Sequence, residues 1–202
     1  MDCRKFFYIV SLPRCRSTWL SHLFTTDVTR CYHSLLSDYY SKAFHGLINT
    51  DQLYVGSCDE DPVSFLMSEK PSGPIVVVDR DKDDCAESFR NAFELPDDFP
   101  VEGMLETYKI ALKTIAKMPE SISIDFKDLE DNSTIFKIWR HLLPGVPCYI
   151  ERVMMFQNTV IVVKNRDLSM ALDICAKNLH LTKGKYIEAL GSGEILKWQQ
   201  QQ

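Results

Sequence analysis

Phe6 to Leu20 reads FFYIVSLPRCRSTWL, an apolar run, a short polar turn and then an amphipathic stretch with Trp19 near its start. The apolar run predicts a buried strand over Phe6–Val10, and the residues from Ser17 onward predict a helix that ends near Thr25. A strand that turns sharply into a helix aims the N–H groups of the first helical turn at one point, and an anion belongs there. Arg14 and Arg16 bracket the turn with guanidinium groups whose planar donor fork suits phosphate or sulfate oxygens, and Ser17 and Thr18 add hydroxyls. Pro13 fixes the chain as it leaves the strand. The nucleoside-triphosphatase loop G-x-x-x-x-G-K-[ST] would place glycines at Ser11 and Arg16 and a lysine at Ser17, so it fails at three positions.

A second stretch has the same grammar. Ile75 to Phe89 reads IVVVDRDKDDCAESF, a buried-strand run, a turn and a helix, with Arg80 at the strand's end and Ser88 two turns into the helix. An arginine at the carboxyl end of a parallel strand points into the crevice where such sheets bind ligands. Asp81 and Asp83 suit the start of the helix, where carboxylates cap N–H groups and favour the dipole.

The two stretches together resemble the sulfotransferase family. P-R-C-R-S-T-W at Pro13 to Trp19 is similar to the family's 5′-phosphosulfate loop, P-[KR]-S-G-[ST]-[ST]-W, and closer to the P-R-S-R-[ST] of short bacterial and phage sulfotransferase-like proteins. The departure is Cys15-Arg16 in place of Ser-Gly. Arg80, Asp81, Lys82, Asp83 and Ser88 resemble the family's [VI]-x-R-[DN]-P-[KR]-D-x-x-x-S segment, with Lys82 displaced to where the proline is usual. The resemblance implies a donor, 3′-phosphoadenosine 5′-phosphosulfate, whose bridging oxygen faces Arg14 and whose adenine faces Trp19. Cys15, Arg16, Ser17 and Thr18 would surround its sulfate and 5′-phosphate, and Arg80 and Ser88 its 3′-phosphate. It also implies a P-loop-containing fold that needs no metal. Ile124 to Asn132, I-D-F-K-D-L-E-D-N, resembles the Y-E-D-L segment after the family's third core strand, and Lys183-Gly184-Lys185 resembles its C-terminal R-K-G.

Elsewhere strands and helices alternate. Strands are expected at Val28–Tyr32, Ile75–Val78, Ser121–Phe126 and Val160–Val163, with helices at Leu35–Leu47, Lys82–Phe93, Glu102–Lys117, from about Asp131 through Trp139 to Leu143, and near Leu168–Lys177 and Lys183–Leu190. Asn49–Lys70 has weak periodicity and several acids. This order predicts a three-layer α/β/α domain with a mainly parallel central sheet over residues 1–198, with 199–202 a frayed tail.

With 202 residues, 45% apolar, the chain is long enough to bury a core, and its net charge of −5 argues against a phosphate-tracking nucleic-acid surface. No apolar stretch approaches a membrane span and the N-terminus lacks a secretory pattern, so the expected location is cytoplasmic, the host cytoplasm or virion if the chain is phage-encoded. Seven scattered cysteines, Cys3, Cys15, Cys31, Cys58, Cys85, Cys148 and Cys175, contain no C-x-x-C pair and read as free thiols. Cys15, at a helix start between two arginines, is expected to have a lowered thiol pKa.

Sulfuryl transfer to a hydroxyl or amine also requires a proton acceptor. The family uses a histidine or glutamate, in several branches just after the second strand, which leaves His33 in Cys31-Tyr32-His33-Ser34 as the candidate base, ahead of Asp38 and His45. A partly buried histidine satisfied by backbone is the other reading. Two further functions stay open at this point. One is a nucleotide kinase, with Asp79 ending VVVD as the magnesium ligand and Ser17 or Thr18 as partner, though the loop lysine is missing. The other is a non-catalytic binding or virion-associated protein on the same scaffold.

Overall fold

The computed structural model describes residues 4–35, 51–68, 70–93, 95 and 99–159. Asp38, His45, most of the expected helix over Leu35–Leu47, and all the expectations beyond Thr159 lie outside the described residues, Lys183-Gly184-Lys185 and the tail included.

The first strand, β1 (Lys5–Ser11), has six of its seven residues buried, the signature of a central strand covered on both faces. It leads into α1 (Ser17–Leu23) and β2 (Thr29–His33). Then come β3 (Tyr54–Asp59), α2 (Pro62–Met67), β4 (Ile75–Asp79), α3 (Lys82–Phe93) and α4 (Val101–Ile115). The described part closes with β5 (Ser121–Asp125), a 3₁₀ turn over Phe126–Glu130, α5 (Asn132–Leu142) and α6 (Ile150–Gln157). The five strands pair in the order β2-β3-β1-β4-β5, all parallel. Helices α1, α5 and α6 pack together, as do α2, α3 and α4, so the sheet is the middle of three layers.

This strand order places the crevice. The connection leaving β1 runs towards β2 and that leaving β4 runs the other way, towards β5, although β1 and β4 are neighbours. Adjacent parallel strands whose connections diverge leave a cleft beyond their carboxyl ends. The loop after β1 and the segment after β4 are therefore its two walls, and these are the stretches carrying Arg14 and Arg80.

Three elements, β3, α2 and α6, depart from the sequence reading. β3 falls in the stretch read as weakly periodic, because a strand buried on both faces has no alternation, and it carries Gly56, Ser57 and Asp59 where apolar residues would announce it. Ser57 Oγ donates to Asp59 at 2.5 Å, so these two buried polar side chains satisfy each other. α6 had no reading either, since of its eight residues only Val153 is buried.

Gly56 is required by contact. It pairs with Phe7 across β1 and β3, and a methyl on its Cα would fall inside the Phe7 ring. That ring is fully buried and tilted against Phe24, which stacks on Trp139 at 5.1 Å, so it has nowhere to retreat. Gly56→Ala should therefore destabilise the domain by about 2–3 kcal/mol through overpacking. A urea midpoint that matches wild type at unchanged slope would show that the core yields there.

Candidate functional site

The loop between β1 and α1 makes its turn without glycine. Arg14 and Arg16 both lie in the left-handed region, at φ 68° and 60°. A side chain there costs about 1–2 kcal/mol, so packing around the loop must hold it in place. Leu20 N–H is the first in α1 to bond back, to Arg16 O at 2.8 Å, which leaves the N–H groups of Ser17, Thr18 and Trp19 ahead of the helix's own ladder.

Arg80, just past β4, reaches across to this loop. One of its terminal nitrogens donates to Arg14 O at 2.6 Å, and its guanidinium lies 4.4 Å from the centre of the Phe126 ring, which follows β5. Its Nε–H is buried and has no hydrogen-bond partner among the described residues. Arg14 Nε in turn donates to Ser88 Oγ on α3 at 3.3 Å. Arg14, Arg80 and Ser88 line one open cleft of about 570 Å³ together with Asp84, Glu87, Asn91 and Ala92. Asp84 and Glu87 are exposed, so water screens their charge more than that of the half-buried arginines.

The other loop residues are placed differently. Arg16 reaches away to Glu130 at 3.2 Å and sits 5.5 Å from the Phe126 ring centre. Trp19 is buried, its indole N–H donating to Phe156 O at 2.8 Å and its ring set edge-on against Phe156, so its contacts are with α6. Thr18 is half-buried on the first turn of α1. Cys15 is fully buried, and its thiol is pushed up by the hydrogen bond with Cys85 and by burial, opposite to the expected lowering. The physical reason is that neighbouring guanidiniums turn outward, Arg14 to Ser88 and Arg16 to Glu130, while the sulfur points into the protein.

A second cluster forms at the same edge of the sheet. Ser17 Oγ lies 3.0 Å from His33 Nε2 and donates to Glu60 Oε1, and His33 Nε2 lies 3.3 Å from the same carboxylate oxygen. Ser34 Oγ sits 3.1 Å from His33 Nδ1, so each ring nitrogen has a side-chain partner. His33 ends β2 and Glu60 follows β3, and the β2–β3 register, His33 opposite Cys58, brings them together. Glu60 is the residue that sequence reasoning missed. Its signal was present in Asp61-Pro62, a cap and first-turn proline that mark a helix start and hence a strand end just before: Asp61 accepts from Val63 and Ser64 N–H, each at 3.0 Å.

Comparison with solved structures finds the same architecture. The chain matches the mouse sulfotransferase SULT7A1 complexed with PAP at a TM-score of 0.58 and 13% identity, over 78% of this chain and 64% of that one. The fold is the sulfotransferase fold. The chain spans less than two thirds of the length of that enzyme. It also matches a sulfotransferase from Alicyclobacillus acidocaldarius at a TM-score of 0.49 and 11% identity, over 91% of this chain and 98% of that one. No protein-family model matches the chain, and no curated protein matches it in sequence.

Within this sulfotransferase fold, Asp79, the residue a kinase reading would assign to magnesium, is engaged by Lys109 Nζ. Among the described residues no group of three or more His, Cys, Asp and Glu side chains is disposed to share a metal, and no helix is long and apolar enough to cross a membrane.

Proposed function

We propose that the chain is a sulfotransferase that moves a sulfuryl group from 3′-phosphoadenosine 5′-phosphosulfate to a hydroxyl or amine acceptor. The observation that carries this reading is the cleft where Arg14, Arg80 and Ser88 converge from three elements, with a buried, unpaired Arg80 Nε–H among them. A buried donor without a partner is rare, and a phosphate oxygen supplies the missing acceptor. The sulfotransferase neighbour complexed with PAP supports an adenosine bisphosphate as the ligand class.

In this reading Arg80 and Ser88 take the 3′-phosphate and Arg14 works between the two ends of the donor. Charge develops on the bridging oxygen as the sulfuryl group leaves, and a fixed guanidinium there stabilises it more than it stabilises the ground state. Ser17 and Thr18 complete the loop's grip on the sulfate, Arg16 steadies the loop through Glu130, and Cys15 and Trp19 support it from within. The acceptor's proton goes to the Glu60 and His33 pair, which faces the same loop through Ser17.

Calorimetric titration with 3′-phosphoadenosine 5′-phosphate, adenosine 5′-phosphate and ATP plus magnesium tests this. The bisphosphate should bind without metal, and Arg80→Ala should weaken it by about 10- to 100-fold, the worth of one or two charged hydrogen bonds, with little effect on the monophosphate. Equal losses on both nucleotides would assign Arg80 another task, and binding of ATP only with magnesium would favour the kinase. Bisphosphate binding without turnover on any hydroxyl or amine acceptor would identify a binding protein on the same scaffold.

A further inference from the structure

Cys15 and Cys85 meet sulfur to sulfur at 3.9 Å, although 70 residues separate them, and both are fully buried. Cys15 lies between Arg14 and Arg16 in the loop after β1; Cys85 lies early in α3, one turn before Ser88. The same two elements are already tied by the bond from Arg14 Nε to Ser88 Oγ. We propose that Cys15 and Cys85 form a reversible disulfide that cross-links the anion-binding loop to α3 and thereby lowers nucleotide affinity at the cleft. The bridge itself stands on the thiol geometry, whereas its effect on nucleotide rests on the donor reading above.

A disulfide is about 2.05 Å long, so the sulfurs need to close by roughly 1.9 Å. That is within reach of small side-chain rotations and a shift of the loop. Because Arg14 immediately precedes Cys15 and its carbonyl accepts from Arg80, the shift moves both arginines of the cleft. Both sulfurs are sealed from solvent, which limits the oxidant to a molecule as small as hydrogen peroxide.

The chemistry balances with that oxidant. The Cys85 sulfur is the first nucleophile, since the hydrogen bond from Cys15 and the charges of Arg80 and Lys109 hold its thiol down. It attacks one peroxide oxygen, the O–O bond breaks, and water leaves behind a sulfenic acid. Cys15 then attacks that sulfur, the S–O bond breaks, and a second water departs as the S–S bond forms. Two thiols have lost two electrons and two hydrogens to one peroxide, and a dithiol reductant reverses the change.

The test uses the full chain, reduced and then treated with hydrogen peroxide. Denatured, alkylated and digested without reductant, it should yield a peptide pair joined through Cys15 and Cys85, lighter than its parts by two hydrogens and released by dithiothreitol. The same samples titrated with 3′-phosphoadenosine 5′-phosphate should show affinity about tenfold weaker after oxidation and restored by reduction. Cys85→Ala, or Cys85→Ser should the alanine variant fail to fold, should bind like reduced wild type and ignore peroxide. Sulfinic or sulfonic acid at either cysteine, or both left as thiols while other cysteines pair, overturns the bridge. A bridge that leaves affinity unchanged overturns its control of binding. A reduced protein that ignores the nucleotide overturns the donor reading and that control together, while the mass measurement still decides the bridge.

Discussion

Glu60→Gln should lower turnover by about 10³-fold while nucleotide affinity stays within about threefold. The proposed transfer to a hydroxyl requires that its proton leave, and Glu60 is the carboxylate that bonds both Ser17 and His33. Its side chain is 16% exposed and that of His33 21%, enclosed enough to be positioned and open enough to meet an acceptor. Glutamine keeps the shape and still accepts from Ser17, but it cannot take a proton. His33→Asn should cost less, about tenfold, because it removes a positioning partner and leaves the carboxylate. Release of 3′-phosphoadenosine 5′-phosphate from the sulfate donor, measured with an acceptor that wild type turns over, gives both numbers. The reverse order of losses would make His33 the base and Glu60 its support.

Arg14→Ala should cost about 10²-fold in kcat with the fold intact. The guanidinium stands between loop and α3, on Ser88, and in the proposed reaction its charge matters most when the bridging oxygen becomes an anion. Stability should barely change, because alanine at φ 68° carries the same backbone penalty as arginine. Arg14→Gly should be as slow and somewhat more stable, since only glycine adopts that backbone freely. Turnover near wild type in both variants would remove Arg14 from the mechanism, and a large drop in the urea midpoint would mean that the side chain serves the fold instead.

Much of this geometry was legible in the chain because local pattern and final position agree. The helix Lys82–Phe93 was read with the bounds it has, and β1, β4, β5 and α5 differ from their expected spans by a residue or two, the usual scatter of element ends. Arg14, Arg80 and Ser88 were brought into one group by the resemblance of two stretches to sulfotransferase motifs, and the three line one cleft. What spacing could not deliver was β3, whose polar, doubly buried residues mimic a loop, and with it Glu60, whose partner His33 is 27 residues away in the chain. The direction of the Cys15 thiol was missed for a related reason. The flanking arginines are local and visible in sequence, but Cys85, which meets the sulfur, is not.

The arginines at φ 68° and 60° also bear on how the turn between β1 and α1 behaves before it meets a ligand. A glycine turn samples many shapes and must surrender them to close on an anion, whereas side chains at both positions shrink that repertoire, in the folded loop and in the unfolded chain alike. Rigidity of this kind shifts the entropic burden of recognition from the moment of capture to the moment of folding.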